Sequence, residues 1–345
     1  MSRPAPRSED ELEDELSTPR EATVAALARA PGDIIILGAG GKMGPTLARM
    51  AARAARQPGA GAARRVIAVS RFSSAAAERA LHAVGVETVR CDLLDRDAVR
   101  RLPEVPNVIF MAGQKFGTTD APSRTWMQNV VVPATCAERY RDARIVAFST
   151  GNVYPLTPRT RGGSRETDAL APIGEYAASC LGRERVFEHW SATEGTKVVL
   201  MRLNYAIDLR YGVLVDIAAR IMRGEPVPLG MGHVNVIWQG DANRVALELL
   251  AHASSPPLVV NVTGSETIAV RGVAEELARR LKRDVTFTGE EGATALLSDA
   301  SKMRGLLGPP DMPLGALLDW VAAWVGAGHP LLGKPTGFEK RDGAF

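Results

Sequence analysis

The sequence predicts an α/β fold: a doubly wound parallel sheet covered on both faces by helices, followed by a smaller C-terminal subdomain. Three observations predict it. An apolar run beginning at Asp33 leads straight into a glycine cluster ending at Gly44, and an amphipathic pattern follows at once. Short apolar runs then alternate with helical patterns as far as Arg202. Beyond that point the rhythm loosens into turns rich in proline and glycine. Apolar strands alternating with helices imply parallel βαβ units.

The chain of 345 residues has room for about two domains at roughly 150 residues each. A hydrophobic fraction of 46% and a mean hydropathy of −0.04 fit a globular enzyme. Lys and Arg total 42 against 39 Asp and Glu, a net charge of +3 with no dense basic block. That balance argues against nucleic acid or an acidic membrane surface as partners. Cys91, Cys136 and Cys180 stand far apart, with neither a metal-ligand spacing nor a disulfide framework, which points to a reducing cytoplasm. His82, His189, His233, His252 and His329 show no ligand spacing either, so no metal is expected. No apolar run approaches the roughly 20 residues that span a bilayer, and the acidic stretch from Ser8 to Leu16 is no signal peptide.

Taken in order, residues 1–17 read as a solvated leader. Thr18 reads as the cap of a short helix, with Pro19 at its first position and Glu21 reaching back, and residues 1–30 precede the first domain. The apolar run before Gly38 is the first strand, and a helix starts at Pro45. Further strands are expected from Arg65 to Ser70, Glu87 to Cys91, Asn107 to Met111, Arg144 to Phe148 and Lys197 to Met201. Helices are expected around 74–83, 95–102, 126–140 and 176–190, completing a domain over 31–203. In the subdomain, 204–330, helices fall near 213–222, 242–252 and 270–281, with a strand near 234–238 and strands that partly return to the main sheet. Trp320 and Trp324, four apart on a last helix, are packing residues. Residues 331–345 form a tail of loop composition, either wrapped over the body or loose.

The glycine turn suits a phosphate. Gly38, Gly41 and Gly44 keep the spacing G-x-x-G-x-x-G, with Gly40 as an extra small residue and Lys42 and Met43 inside the turn. A side chain here would hold a pyrophosphate away from the backbone, and the N–H groups at the helix start favour the negative charge. The cofactor class is therefore NAD or NADP. The second strand ends in Ser70 and Arg71 rather than in an acid. An arginine there accommodates a 2′-phosphate, which tilts the choice to NADP; the alternative is a solvated loop arginine. Asp92, followed by Leu93, either accepts from an adenine amino group or caps the next turn. Thr150 at a strand end and Tyr176 at a helix start can converge on one substrate oxygen, the phenol giving or taking the proton.

With these residues in place, the chain resembles the extended short-chain dehydrogenase/reductase family, which includes NAD(P)-dependent epimerases and dehydratases. The resemblance runs from about Asp33 to Val325. Gly38-Ala-Gly-Gly-Lys-Met-Gly44 is similar to the family's cofactor turn, and Cys91-Asp-Leu-Leu-Asp95 to its adenine-side motif. Val108-Ile-Phe-Met-Ala-Gly113 resembles its fourth strand, which brings Met111, Ala112 and Gly113 to the cofactor, and Asn129 matches an asparagine of the next helix. Ser149-Thr150 with Val153-Tyr154 resembles its hydroxyl-rich strand end. Arg202-Leu-Asn204, Gln239-Gly-Asp241, Asn261-Val-Thr-Gly264 and Asp299-Ala-Ser-Lys302 resemble landmarks further on. The resemblance implies a Rossmann-type fold, a homodimer, and a small-molecule substrate that is a sugar or sugar nucleotide among other polar molecules.

One departure matters. The family keeps a lysine four residues after the tyrosine, and that position is Cys180 here. The lysine holds the nicotinamide ribose and lowers the tyrosine pKa. Without it, a phenol of pKa about 10 is roughly 0.1% ionised at neutral pH. Lys115, directly after the fourth strand, is a candidate stand-in; its alternative is an exposed loop lysine. Arg183, seven residues beyond Tyr176, is a second, with a surface ion pair as its alternative. Cys180 itself reads as a small, half-buried residue. Arg220 and Arg223 are candidates to meet an anionic group. Two functions follow: an NAD(P)-dependent oxidoreductase or epimerase with Tyr176 as acid/base, or a cofactor-binding sensor or scaffold that has lost turnover.

Overall fold

A computed structural model of the protein describes residues 4–72, 74–334 and 336–344. Its centre is a seven-stranded parallel sheet: β1 (Ile34–Leu37), β2 (Val66–Ser70), β3 (Glu87–Arg90), β4 (Asn107–Phe110), β5 (Arg144–Thr150), β6 (Lys197–Leu203) and β7 (Leu258–Val262). The strand order is β7-β6-β5-β4-β1-β2-β3. The chain winds one way from β1 to β3 and the other way from β4, so the order reverses between β1 and β4, where Leu37 pairs with Phe110. Crevices at such reversals are where ligands of open α/β sheets bind.

The central strands read as unbroken apolar runs because both of their faces are covered. Ile34 and Ile36 of β1 point into one layer, beside Leu47 and Met50 of the Gly44–Ala55 helix and Val245 of the Gln239–Glu248 helix. Ile35 and Leu37 point into the opposite layer, beside Phe187 of the Gly174–Glu194 helix and Cys136 of the Val132–Arg139 helix. Edge strand β3, with Glu87 and Arg90 exposed, is polar, as an unpaired edge has to be. β7 comes from the C-terminal part and returns to the sheet beside β6. The rest of that part packs the Val213–Arg223, Val270–Leu281 and Leu314–Gly326 helices around a separate core, where Trp238 meets Trp320 edge-on at 5.7 Å.

Several expectations need correction. The solvated leader contains a helix, Glu9–Leu16, capped by the Ser8 hydroxyl, which accepts from the Glu11 N–H. Its Leu12 and Leu16 are fully buried in the C-terminal core, and Asp14 pairs with Arg49 and Arg53. Two leucines four apart are enough to dock a helix whose other face is acidic. Thr18 caps nothing: its hydroxyl donates to the Asp14 carbonyl, and the next helix begins at Glu21 behind Arg20. The helix expected over 126–140 is three pieces, Pro122–Trp126, a π-turn Met127–Val131, and Val132–Arg139. The strand expected near 234–238 divides into His233–Val234 and Ile237–Trp238, which pair with different partners. The tail wraps over the body: Phe338 is buried, and Arg341 donates to the carbonyls of Gly230 and Thr294.

Candidate active site

The glycine turn leaves β1 and starts the Gly44–Ala55 helix, and most of its glycines are there for close approach. At Gly38, with φ +92°, a Cβ would lie 2.6 Å from the Ala112 backbone. A Cβ at Gly40 would meet the Ser70 hydroxyl at 2.3 Å, and one at Gly44 the Ala39 carbonyl oxygen at 2.2 Å. Gly41 differs: a Cβ there would come no closer than 3.6 Å to the Gly38 carbonyl oxygen, an ordinary van der Waals contact, and the residue lines the cavity described next. No side chain caps the helix behind the turn. Its first N–H groups and dipole are thus directed at a bare, side-chain-free floor, which fits a dinucleotide diphosphate.

That floor opens into a cavity of about 850 Å³ at the carboxyl ends of β1, β4 and β5. Gly38, Gly40, Gly41, Lys42 and Met43 line one end; Thr150, Tyr176 and Lys115 line the middle. Met111, Gly113 and Arg183 also reach it. Gly44, Ser70 and Ala112 serve the turn from behind as packing partners. Arg71 lies outside this cavity, in an adjoining opening of about 490 Å³ that it shares with Gly113, Gln114 and Arg124. Asp92 accepts from the Leu94 N–H at 3.1 Å, the turn-capping alternative, and Leu93 is buried in the sheet layer. Asn129 stands behind the wall. Its side chain accepts from the Gln114 N–H and from Arg183, and donates to the Gln114 carbonyl and Ser179, so it fixes the chain that leaves β4.

Tyr176 sits in the first turn of the Gly174–Glu194 helix and is hydrogen-bonded to Thr150 and to Cys180. Burial pushes its phenol well above the ordinary value, and the neighbouring thiol adds to this, while the Arg183 guanidinium and the Thr150 hydrogen bond oppose it. Cys180 is fully rather than half buried, and burial likewise raises its thiol, so it is no nucleophile in waiting. Arg183 is not in a surface ion pair. It is buried, one turn-pair along the same helix face, and donates to the Phe148 carbonyl at 2.8 Å and the Asn129 oxygen at 2.9 Å. Lys115 is no exposed loop lysine: its ammonium is 6.0 Å from the Tyr176 ring centroid and donates to the Thr336 carbonyl at 3.2 Å. Burial lowers its pKa to about 8. Lys42 reaches across the cavity to the Ala206 carbonyl, 3.9 Å above the Tyr211 ring, and burial lowers it to about 8 as well.

Arg220 and Arg223 are elsewhere, beside Glu339 and Glu225. Sequence reasoning missed the tail: Leu332, Lys334 and Thr336 form part of the cavity wall, and nothing in their loop-like composition signals it. Among the described residues no cluster of three or more His, Cys, Asp or Glu is placed to hold a metal, and no helix is long and apolar enough to cross a membrane.

A glycine cradle at the sheet's switch point, opening onto a tyrosine and a threonine that share a hydrogen bond, defines an α/β protein built around a nucleotide cofactor. The model of the NAD dependent epimerase/dehydratase family matches residues 34–261, and the chain belongs to that family. Among solved structures it is similar to UDP-glucose 4-epimerase from Thermotoga maritima, with 17% identity and a TM-score of 0.69 over 86% of this chain and 99% of that one. The UDP-Glc/GlcNAc 4-epimerase of Campylobacter jejuni is 23% identical, with a TM-score of 0.69 over 85% and 99%. The dTDP-glucose 4,6-dehydratase of Streptomyces venezuelae, solved with NAD bound, is 21% identical, with a TM-score of 0.71 over 85% and 96%. At these identities the likeness is one of fold. No curated protein matches the chain in sequence.

Proposed function

We propose that the protein is an NAD(P)-dependent oxidoreductase or epimerase acting at a carbonyl- or hydroxyl-bearing carbon of a small polar substrate, with Tyr176 as acid/base. The observation that carries this reading is the hydrogen bond between Tyr176 and Thr150 inside a cavity continuous with the glycine turn. The backbone from Gly38 to Gly44 would hold the diphosphate, and a bound nicotinamide supplies a two-electron acceptor or donor. Tyr176 takes or gives the proton at the substrate oxygen, and Thr150 hydrogen-bonds that oxygen and fixes its distance from the phenol. A buried phenol stays protonated unless positive charge is near, and each unit of pKa is worth about 1.4 kcal/mol. Arg183 and Lys115 supply that charge from the sides of the cavity, in place of the lysine that Cys180 displaces. Arg71, with Arg124 in the adjoining opening, supports a 2′-phosphate and thus NADP. Sugars and sugar nucleotides enter as candidate substrates because the similar structures are named for them.

Fluorescence titration with NADH and NADPH, then a screen of ketones, hydroxy acids and sugar nucleotides with Tyr176→Phe alongside, tests the reading. Turnover that Tyr176→Phe lowers a hundredfold or more supports it. A second reading, a cofactor-binding sensor, draws on Cys180 and the raised phenol pKa. Tight binding with no turnover across the screen, unchanged by Cys180→Lys, selects the sensor.

A further inference from the structure

The side chain of Lys42 leaves the glycine turn between Gly41 and Met43 and crosses to the far wall of the cavity. Its ammonium donates to the Ala206 carbonyl at 3.1 Å and lies 3.9 Å from the centroid of the Tyr211 ring. A cation over an aromatic face is attracted by the ring quadrupole, the more strongly as water is excluded. Both partners belong to the segment that follows β6, across the crevice from the turn.

That segment is a fixed wall. At Tyr205 the backbone takes φ +45°, a left-handed conformation that an aromatic residue adopts only where its surroundings impose it. The chain then runs as a short strand, Ala206–Ile207, beside Ile237–Trp238, and the Ile237 N–H donates to the Tyr205 carbonyl at 3.2 Å. Gly212 packs so closely that a Cβ there would lie 2.3 Å from the Ile207 side chain. The Ala206 carbonyl and the Tyr211 ring are therefore a preformed seat, not a loop that Lys42 has to order.

The charges around Lys42 are mixed. Burial lowers its pKa to about 8, Asp208 and Asp216 oppose the shift, and Arg210 and Lys115 add to it. Both carboxylates have partners of their own. Asp208 accepts from the Arg210 N–H at 2.7 Å and its guanidinium at 3.2 Å, and Asp216 accepts from the Thr336 N–H at 2.8 Å and its hydroxyl at 2.6 Å. The direct contacts of the ammonium are thus a neutral carbonyl and a ring, and desolvating it for these alone is unfavourable. What the arrangement maintains is a bridge between the two walls of the cavity that a dinucleotide on the turn must enter to reach Tyr176.

We propose that Lys42 is a clasp for the cofactor: seated on Tyr211 and caught by the Ala206 carbonyl, it closes the crevice over a bound dinucleotide and has to lift before the dinucleotide leaves. This rests on the proposed function for the presence of the cofactor and assigns one residue to its retention.

Release of prebound NADPH, followed by stopped-flow fluorescence as the full-length protein meets excess NADP⁺, tests it, with NADH and NAD⁺ as a second series. Lys42→Met should speed release tenfold or more while slowing association less than threefold, since a clasp acts on the off-rate. Lys42→Arg, which can also stack on a ring and donate to a carbonyl, should stay within threefold of wild type. Tyr211→Leu should match Lys42→Met, and Tyr211→Phe, which keeps the ring, should match wild type. If the leucine variant does not fold, as its melting curve would show, Tyr211→Met takes its place. The double variant Lys42→Met with Tyr211→Leu should release no faster than threefold beyond either single, because both remove one contact. Release unaffected by Lys42→Met would overturn the proposal. So would release speeded by Lys42→Met but not by loss of the Tyr211 ring, which would make the ammonium a direct partner of the diphosphate. A wild type that binds neither dinucleotide would overturn the proposed function and the clasp together, whereas binding with an indifferent Lys42 removes the clasp alone.

Discussion

Lys115 is asked to do two things that pull in opposite directions. Its ammonium is desolvated, so the fold disfavours the charged form and lowers its pKa from 10.5 to about 8. For stability the sign is fixed by proton counting. Between about pH 8 and 10.5 the unfolded chain binds the proton and the folded chain does not, so this group's contribution improves as pH rises through that window. Below pH 8 both forms are protonated and the full penalty stands. Lys115→Met should therefore melt at a higher temperature than the wild type at pH 7, with the gap closing as pH approaches 10.5. Activity should move the other way. The wild type should lose turnover above about pH 8 as its cation disappears, and the methionine variant should be 10- to 100-fold slower at pH 7 without that alkaline limb, which pH–rate profiles of both proteins would show. A variant that is more stable yet keeps wild-type turnover would place the needed charge on Arg183 alone.

At the scale of elements, the glycine turn separates packing from binding. Gly44 and Gly41 are three residues apart, yet a methyl group at Gly44 collides with backbone at 2.2 Å and one at Gly41 meets nothing closer than 3.6 Å. Gly44→Ala should cost about 1–3 kcal/mol in denaturant unfolding, since neither the turn nor the helix can yield. Gly41→Ala should leave stability within about 0.5 kcal/mol, as surface changes do, while weakening dinucleotide binding tenfold or more by lifting the diphosphate off the floor. Equal losses of stability in the two variants would contradict this division. The turn was legible beforehand because strand, turn and helix are local patterns set by adjacent residues. The Glu9–Leu16 helix was not: its only apolar signal is Leu12 and Leu16, and the core that buries them comes from residues about two hundred positions later. The tail was illegible for the same reason, since Thr336 acquires its role only from Asp216 and Lys115, partners brought together by the fold. For Arg183 the signal existed. Its seven-residue spacing from Tyr176 puts it on the same helix face, and only the burial of that face decides between cavity wall and surface pair.

Across the whole molecule, one buried polar network joins the parts that must stay in register around Thr150. Glu184, from the tyrosine helix, accepts from the Ser149 hydroxyl of β5 at 2.5 Å and from two nitrogens of Arg202 in β6 at 2.9 and 2.7 Å. Arg202 also donates to the Tyr154 hydroxyl at 2.6 Å, and Tyr154 to the Asn261 side chain of β7 at 2.8 Å. Burial works against the charge on Arg202, but the Glu184 carboxylate more than offsets it and the pKa is raised. The motif Arg202-Leu-Asn204 was visible as a landmark without a role because these partners lie on three other elements. A network that spans β5, β6, β7 and the helix carrying Tyr176 couples the sheet to the site, and its value depends on being complete. Glu184→Gln keeps the shape but leaves the Arg202 guanidinium buried against a neutral group, and should destabilise the protein by about 3–5 kcal/mol. Replacing both, as Glu184→Leu with Arg202→Met, removes the charge along with its partner and should cost less than Glu184→Gln alone. Urea unfolding of the single and double variants measures the difference. A double variant as unstable as the sum of its singles would mean that the two side chains act independently and that β6 is held to the tyrosine helix by packing alone.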